Sequence, residues 1–149
     1  MSPQGSALSA DGRTLWLADY ALGIVAVDPA TGAARNVAQP WDASLLGIDA
    51  LLAVENDLIA VQNGVRPARV LRIGVDPATG ALGSWQVLAA ALPAFEEPTG
   101  ATISDGRLYL IANSHWDRFE DGALADPQSL SPPRILSIGL GASTVMLEN

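Results

Sequence analysis

The chain has 149 residues, contains no cysteine, and carries a formal net charge of −8 at pH 7. Its hydrophobic content of 49%, beside 16% charged residues, is typical of a globular chain that buries a sizeable core. All eight basic residues are arginines, and they form no basic stripe. Nucleic acid and membrane surfaces are therefore not expected as partners. The lack of cysteine excludes disulfides, thiolate zinc sites and cysteine nucleophiles.

The N-terminal sequence MSPQGSALSADG has neither the basic nor the apolar region of a signal peptide. Further along, charged residues interrupt every apolar stretch before it reaches the roughly 20 residues of a membrane span. These features predict a soluble protein of the cytoplasm or periplasm.

Three apolar runs that end in a small polar residue recur along the chain. They are LWLAD ending at Asp19, LIAVQN ending at Asn63 and LYLIAN ending at Asn113, at spacings of 44 and 50 residues. A weaker apolar run with an Asp or Asn turn precedes each, at residues 7–13, 51–57 and 101–107. Each unit is therefore predicted to open with two strands. Residues 15–18, 58–61 and 108–112 are continuously apolar, which predicts strands covered on both faces.

A predicted third strand follows in each unit: GIVAVD at 23–28, ARVLRIGVD at 68–76 and PRILSIGLG at 133–141. After the first two of these strands the sequence DPATG occurs, at 28–32 and 76–80. Aspartate accepts backbone N–H bonds, proline presets φ, and glycine supplies a positive φ. DPATG is therefore predicted to form a hairpin turn rather than a ligand loop, remote from any central site.

Looser fourth runs complete the units: AARNVA at 33–38, LGSWQVLAA at 82–90 and STVMLE at 143–148. Four short strands in about 40 to 50 residues is the size of a propeller blade. The predicted fold is all-β, a β-propeller segment of about three four-stranded blades, half of a six-bladed ring. The blades fall at approximately 5–40, 47–90 and 97–148 of a single partial domain, 1–149. A β-sandwich is the structural alternative, but it does not explain the long-period repeat.

The segment LSADGRTLWLADYALGIVAVDPATG, residues 8–32, resembles the repeats of the gluconolactonase, senescence-marker-protein (regucalcin) and NHL-repeat superfamily of six-bladed propellers. In those repeats a Pro/Ala-Asp-Gly turn precedes an apolar strand that ends in Ala-Asp, and ISDGRLYLIANS at 103–114 follows the same pattern. Three blades do not close a ring. The remaining blades of a longer protein, or a second copy, would be needed to cover the open blade faces. A start at Met1 inside a first strand favours the former, with this chain as the C-terminal half.

For the lactonase branch, the resemblance implies a divalent cation, usually calcium, held at the central channel by carboxylate and amide oxygens. Asp19 matches a ligand position of that family, and Asn63 and Asn113 occupy the equivalent place in the next two units. The alternative is that Asp and Asn end strands by bonding their own backbone. The family's N-terminal glutamate ligand has no counterpart and no catalytic residue is identified, so the chain is expected to hold at most part of a lactonase site.

Two longer connections are candidate substrate or partner loops. The segment NSHWDRFEDGALAD at 113–126 holds the only histidine, His115, followed by Trp116. The alternative for this segment is a solvated connection that Trp116 and Phe119 pack onto a blade edge. The second connection, GVRPAR, holds Arg66 and Arg69, which suit a carboxylate or phosphate or pair with the acidic surface.

Two functional hypotheses follow from these residues. The first is a metal-dependent hydrolase of lactones or esters, incomplete in this chain. The second is a non-catalytic propeller scaffold that binds a protein or a small ligand through its loops.

Overall fold

The computed structural model describes residues 2–120, 122–124, 126 and 130–141. The first sheet contains β1 (Pro3–Leu8), β2 (Leu15–Asp19), β3 (Gly23–Val27) and β4 (Ala34–Asn36). The second contains β5 (Ile48–Val54), β6 (Asp57–Gln62), β7 (Arg69–Val75) and β8 (Leu82–Ala90). The third contains β9 (Ala101–Ser104), β10 (Arg107–Ile111) and β13 (Ile135–Gly139), and a ribbon of β11 (Phe119–Glu120) and β12 (Ala123–Leu124) lies between β10 and β13 in sequence.

The prediction of an all-β fold is confirmed, because the described chain forms small antiparallel sheets and one 3-10 turn. In the first two sheets the four strands follow one another in chain order. Strand β2 coincides with LWLAD and strand β8 with LGSWQVLAA. The predicted strand at 143–148 lies outside the described residues. No helix in the described ranges is long and apolar enough to cross a membrane.

Both DPATG segments form the predicted tight turns. In the second turn the Asp76 carboxylate accepts the backbone N–H groups of Ala78 at 2.9 Å and Thr79 at 2.8 Å. Gly80 closes this turn with a φ of 69°, a conformation that favours glycine. The first turn repeats the arrangement at Asp28. The first turn joins β3 to β4 and the second joins β7 to β8. Both lie at the opposite end of the strands from Asp19, the last residue of β2.

Two apolar cores lie between the sheets, one on each face of the second sheet. Strand β6 directs Leu58 and Ala60 into the core shared with the first sheet. It directs Ile59 and Val61 into the core shared with the third sheet, because side chains alternate along a strand. All four are at most 1% exposed. The prediction that residues 58–61 are covered on both faces is confirmed.

Within the described residues the first and third sheets are covered on one face only, so coverage of residues 15–18 and 108–112 on both faces stays a prediction. Along β2, Trp16 and Ala18 are buried against the second sheet, whereas Leu15 and Leu17 stay partly exposed on the other face. In β10, Ile111 is 37% exposed. The reason is that these two sheets are the outermost ones in the described part of the chain.

Neighbouring sheets approach each other most closely at their first strands. Strands β1 and β2 pack on β5, and β5 packs on β9. A Cβ atom added at Gly5 would lie 2.3 Å from the backbone nitrogen of Leu51, so the approach of β1 to β5 requires glycine. The sheets therefore diverge from their first strands toward their fourth.

Candidate functional site

The second strands of all three sheets end on the same side of the molecule. We call this side the Asp19 end, and it comprises residues 19–23, 47–49, 63–69, 96–100 and 113–118. The connection 64–69 lies here, and so does the first part, 113–118, of the longer connection 113–126. The DPATG turns lie at the opposite end.

Asp19 is the last residue of β2, and the chain's own backbone binds its carboxylate. Oδ1 accepts the N–H groups of Ala21 and Leu22, each at 3.0 Å, and Oδ2 accepts the N–H of Ser2 at 2.8 Å. Burial of the side chain opposes ionisation, but these hydrogen bonds outweigh it and lower the pKa of Asp19. Asp19 therefore closes the turn after β2, as expected of a strand-ending aspartate.

The strand register corrects the alignment of the first two units by one residue. Asp19 pairs with the first residue of β1, and the residue that pairs with the first residue of β5 is Gln62, not Asn63. Tyr20 and Asn63 each come next and donate their backbone N–H to the residue before the first strand, at 2.9 and 3.1 Å. The counterpart of Asn63 is therefore Tyr20. Since side chains alternate between faces, Asp19 and Asn63 do not occupy equivalent positions.

Asn113 keeps its predicted equivalence with Asn63. Leu58 lies five residues before Asn63, and Leu108 lies five residues before Asn113. Both leucines face the preceding sheet, so the two asparagines occupy the same place in their units. Asn113 is 3% exposed. Its side chain is anchored to the segment before β13 by bonds to Ser131 Oγ (3.0 Å), the Pro132 carbonyl (3.1 Å) and the Arg134 N–H (2.7 Å).

Tyr20 and Asn63 join the first sheet to the second at the Asp19 end. The Tyr20 hydroxyl donates a hydrogen bond to Asn63 Oδ1 at 2.9 Å. The hydroxyl lies over Gly64, where an added Cβ atom would be 2.7 Å from its oxygen. The backbones of Gly47 and Gly64 are also in contact, since a Cβ on either would lie 2.5 Å from the other's Cα. Two glycines thus provide the space that this junction needs.

Two acidic residues, one in the second sheet and one in the connection before the third sheet, influence the Tyr20 hydroxyl. Burial raises the pKa of Tyr20, the charges of Asp49 and Glu97 raise it further, and the charge of Arg66 opposes them. Asp49 lies at a β-bulge of β5 and accepts a hydrogen bond from Thr99 Oγ1. Sequence reasoning missed this group, although a charged residue at position 49 of an apolar strand is the signal that points to it.

A cleft of about 450 Å³ opens at the Asp19 end, between the second and third sheets, and both Arg66 and His115 line it. His115 has a left-handed backbone, with a φ of 57°, and its Nε2 lies 3.1 Å from Asn113 Nδ2 and 3.2 Å from the Ser131 carbonyl oxygen. An apolar wall is formed by Pro67, Leu92 and Phe95. The remaining charged lining residues are Glu96, Glu97, Asp117 and Arg118.

The other two predicted loop residues do not line this cleft. Arg69 donates from Nε to Gln62 Oε1 at 2.6 Å, and its guanidinium lies 5.9 Å from the Trp85 ring centroid. Trp116 contacts Phe119, with ring centroids 5.7 Å apart. Within the described residues, Trp116 and Phe119 stay 65% and 47% exposed.

Within the described residues, no three acidic, histidine or cysteine side chains gather closely enough to hold a metal ion. Oxygens of Asp19, Asn63 and Asn113 accept hydrogen bonds from the protein itself. These contacts fit strand-ending side chains better than a set of calcium ligands. Ligation of calcium by the three residues stays a prediction.

A scan against models of known protein families finds none that matches the chain, and a search of curated proteins finds no relative. The likeness to gluconolactonase-type propellers therefore depends on the repeat motifs alone.

Proposed function

We propose that the three sheets are consecutive blades of a β-propeller and that the Asp19 end is its ligand-binding face. Three observations support the propeller. Four strands follow in chain order in each of the first two sheets, the second sheet packs through both faces, and the sheets approach most closely at their first strands. Blades around a central channel share these properties. The sandwich alternative pairs two sheets rather than stacking three in succession.

The proposed function is that of a scaffold that binds a small carboxylate-bearing ligand in the cleft lined by Arg66 and His115. The observation that carries this proposal is the convergence of two loops from different sheets on one cavity. Arg66 Nη1 donates to the carbonyls of Asn63 at 2.8 Å and Val65 at 3.2 Å, which holds the guanidinium in place. Its other nitrogens are then oriented to bind a carboxylate, and Phe95 contacts the apolar part of the ligand.

Binding of gluconate and of benzoate, followed by NMR chemical-shift changes, tests this proposal. Arg66→Ala is expected to weaken the binding roughly ten-fold or more, because a hydrogen bond to a charged group is lost. Arg13→Ala, at the opposite end of the molecule, is the matched control and should leave the affinity unchanged. Equal affinities of the two variants, or no binding of either probe, would contradict the proposal.

A metal-dependent lactone or ester hydrolase is the second candidate. The feature that favours it is that the charges of Asp49, in the second sheet, and of Glu97, in the connection before the third sheet, both raise the pKa of Tyr20. Carboxylate oxygens are the ligands that calcium prefers. On the family resemblance this chain holds only part of such a site, and the first test is therefore metal binding rather than hydrolysis.

Isothermal titration with calcium chloride compares the protein with Asp49→Asn, Asp19→Ala and, as a control from the opposite end, Glu55→Gln. The hydrolase proposal expects weaker calcium binding in Asp49→Asn and none of this loss in Glu55→Gln. Unchanged affinity in Asp19→Ala would remove Asp19 from the ligands. No calcium binding by the unaltered protein would exclude the site in this chain.

A further inference from the structure

The first and third sheets each have a face that neither core includes. The first-sheet face is apolar, and the third-sheet face carries Arg107 and Ser137 beside its apolar residues. We call these faces the first-sheet outer face and the third-sheet outer face. On the first sheet the apolar residues of this face are Leu8, Leu15, Leu17, Val25 and Val27, and Leu8 is 51% exposed. On the third sheet they are Tyr109, Ile111 and Ile135, and the two isoleucines are 37% and 61% exposed.

Each outer face is the counterpart of a face that is packed inside the chain. Val25 lies two residues into β3, as Leu71 does in β7, and Leu71 packs toward the preceding sheet. Ile135 is the first residue of β13, and it aligns with Val70 of β7. Val70 packs toward the following sheet and is fully buried. The two outer faces therefore repeat the two kinds of surface that pack on each other between neighbouring sheets.

We propose that the chain binds a second copy of itself head to tail, with the third-sheet outer face of one copy on the first-sheet outer face of the other. A second copy is the expected partner because the chain already packs these two kinds of face together in two places, between the first and second sheets and between the second and third sheets. The interface joins different surfaces, so each copy uses both of its outer faces, and two copies close a ring of six sheets. This proposal rests on the propeller proposed above and is independent of ligand binding in the Arg66 cleft.

Charge gives the proposed contact a recognisable salt dependence. Each copy carries a formal charge of −8, so two copies repel each other at long range. Salt screens this repulsion but does not weaken contact between apolar faces. Association is therefore expected to strengthen as the salt concentration rises, the opposite of an interface held by ion pairs.

Sedimentation velocity at about 100 µM protein tests the proposal, since interfaces of about 800 Å² per partner commonly bind more tightly than this. The test uses Leu17→Arg on the first-sheet outer face, Ile135→Glu on the third-sheet outer face, and Trp41→Glu as a control. Trp41 is 96% exposed and belongs to neither face. The unaltered protein and the control should be dimers, and each interface variant alone should be a monomer.

An equimolar mixture of the two interface variants should recover the dimer. In the mixed pair one interface is unaltered, and the other brings an arginine at position 17 against a glutamate at position 135. Circular dichroism first shows that each variant keeps its strands, and Leu8→Arg replaces Leu17→Arg if that variant unfolds. The proposal is overturned by a monomeric unaltered protein, by one interface variant that remains dimeric alone, by a mixture that stays monomeric, or by growth beyond two copies.

Discussion

The phenolic hydroxyl of Tyr20 donates a hydrogen bond to the side-chain carbonyl of Asn63 at 2.9 Å, across 43 positions of sequence. Each of these residues follows the second strand of its own sheet, so the bond joins the first sheet to the second at the candidate site. Asn63 is only 8% exposed, and water has little access to its carbonyl oxygen. The geometry of the Asp19 end therefore depends on this junction between sheets.

Replacing Tyr20 by phenylalanine should destabilise the fold while keeping the ring. The Asn63 carbonyl would lose its partner in a buried position, a loss of about 1–3 kcal/mol. Urea unfolding measures the difference in free energy. In an Asn63→Ala background the same Tyr20→Phe change should cost much less, because the bond is already gone. Equal losses in both backgrounds would show that the hydrogen bond contributes nothing.

Gly64→Ala should destabilise the same junction by crowding it. The new methyl group would lie 2.7 Å from the Tyr20 hydroxyl oxygen and 2.5 Å from Gly47 Cα. Relieving such overlap costs about 1–3 kcal/mol. The control is Gly83→Ala, where the nearest heavy atom would be 4.0 Å from the new Cβ. Thermal unfolding should show a clearly lower midpoint for Gly64→Ala, and similar midpoints for both variants would contradict the expectation.

Gln62→Leu should be among the more damaging substitutions of a polar residue. Gln62 is fully buried, and its Nε2 donates to the carbonyls of Ser44 at 2.8 Å and Leu46 at 2.5 Å. Its Oε1 accepts from Arg69, so leucine leaves several polar groups without a partner. A loss of at least about 2 kcal/mol is expected in urea unfolding. The exposed Gln86 on β8 offers the matched Gln→Leu control, and an equal loss there would argue against the role of burial.

Acid should weaken the second DPATG turn. Hydrogen bonds from the backbone and side chain of Thr79 and from the backbone of Ala78 lower the pKa of Asp76. The pKa of Asp76 is therefore lower in the folded than in the unfolded chain, and this difference stabilises the fold. The stabilisation is complete when the pH is above the unfolded pKa, about 3.9, and it is lost as the pH falls through the folded pKa. The asparagine side chain of the Asp76→Asn variant cannot titrate. This variant should therefore lose less stability on acidification than the unaltered protein.

Urea midpoints measured at about pH 6, 4 and 3 for the protein and for Asp76→Asn give this comparison. The two sets of midpoints should converge as the pH falls, because protonation removes the charge that the variant lacks throughout. Parallel curves would mean that the Asp76 carboxylate has the same pKa in the folded and unfolded chains.

Local patterns in the sequence were sufficient to locate the second and third strands of each unit and the tight turns between strands. An apolar run of four to seven residues, or an Asp-Pro-Ala-Thr-Gly turn, depends mainly on neighbouring residues along the chain. For this reason LWLAD and LGSWQVLAA coincide with β2 and β8, and Gly80 has the positive φ that its turn predicts.

Only the tertiary structure decided which of these residues meet. Each of the first two units has two consecutive polar residues where its second strand ends, Asp19 and Tyr20 in one, Gln62 and Asn63 in the other. The sequence alone therefore allowed the two units to be aligned with a shift of one residue. Pairing between strands resolves it, because a one-residue shift moves every side chain to the other face of the sheet. The same stacking of sheets brings Arg66 and His115 to one cleft and leaves Arg69 bound to Gln62. Contacts between units depend on how the sheets pack, and no local pattern records that.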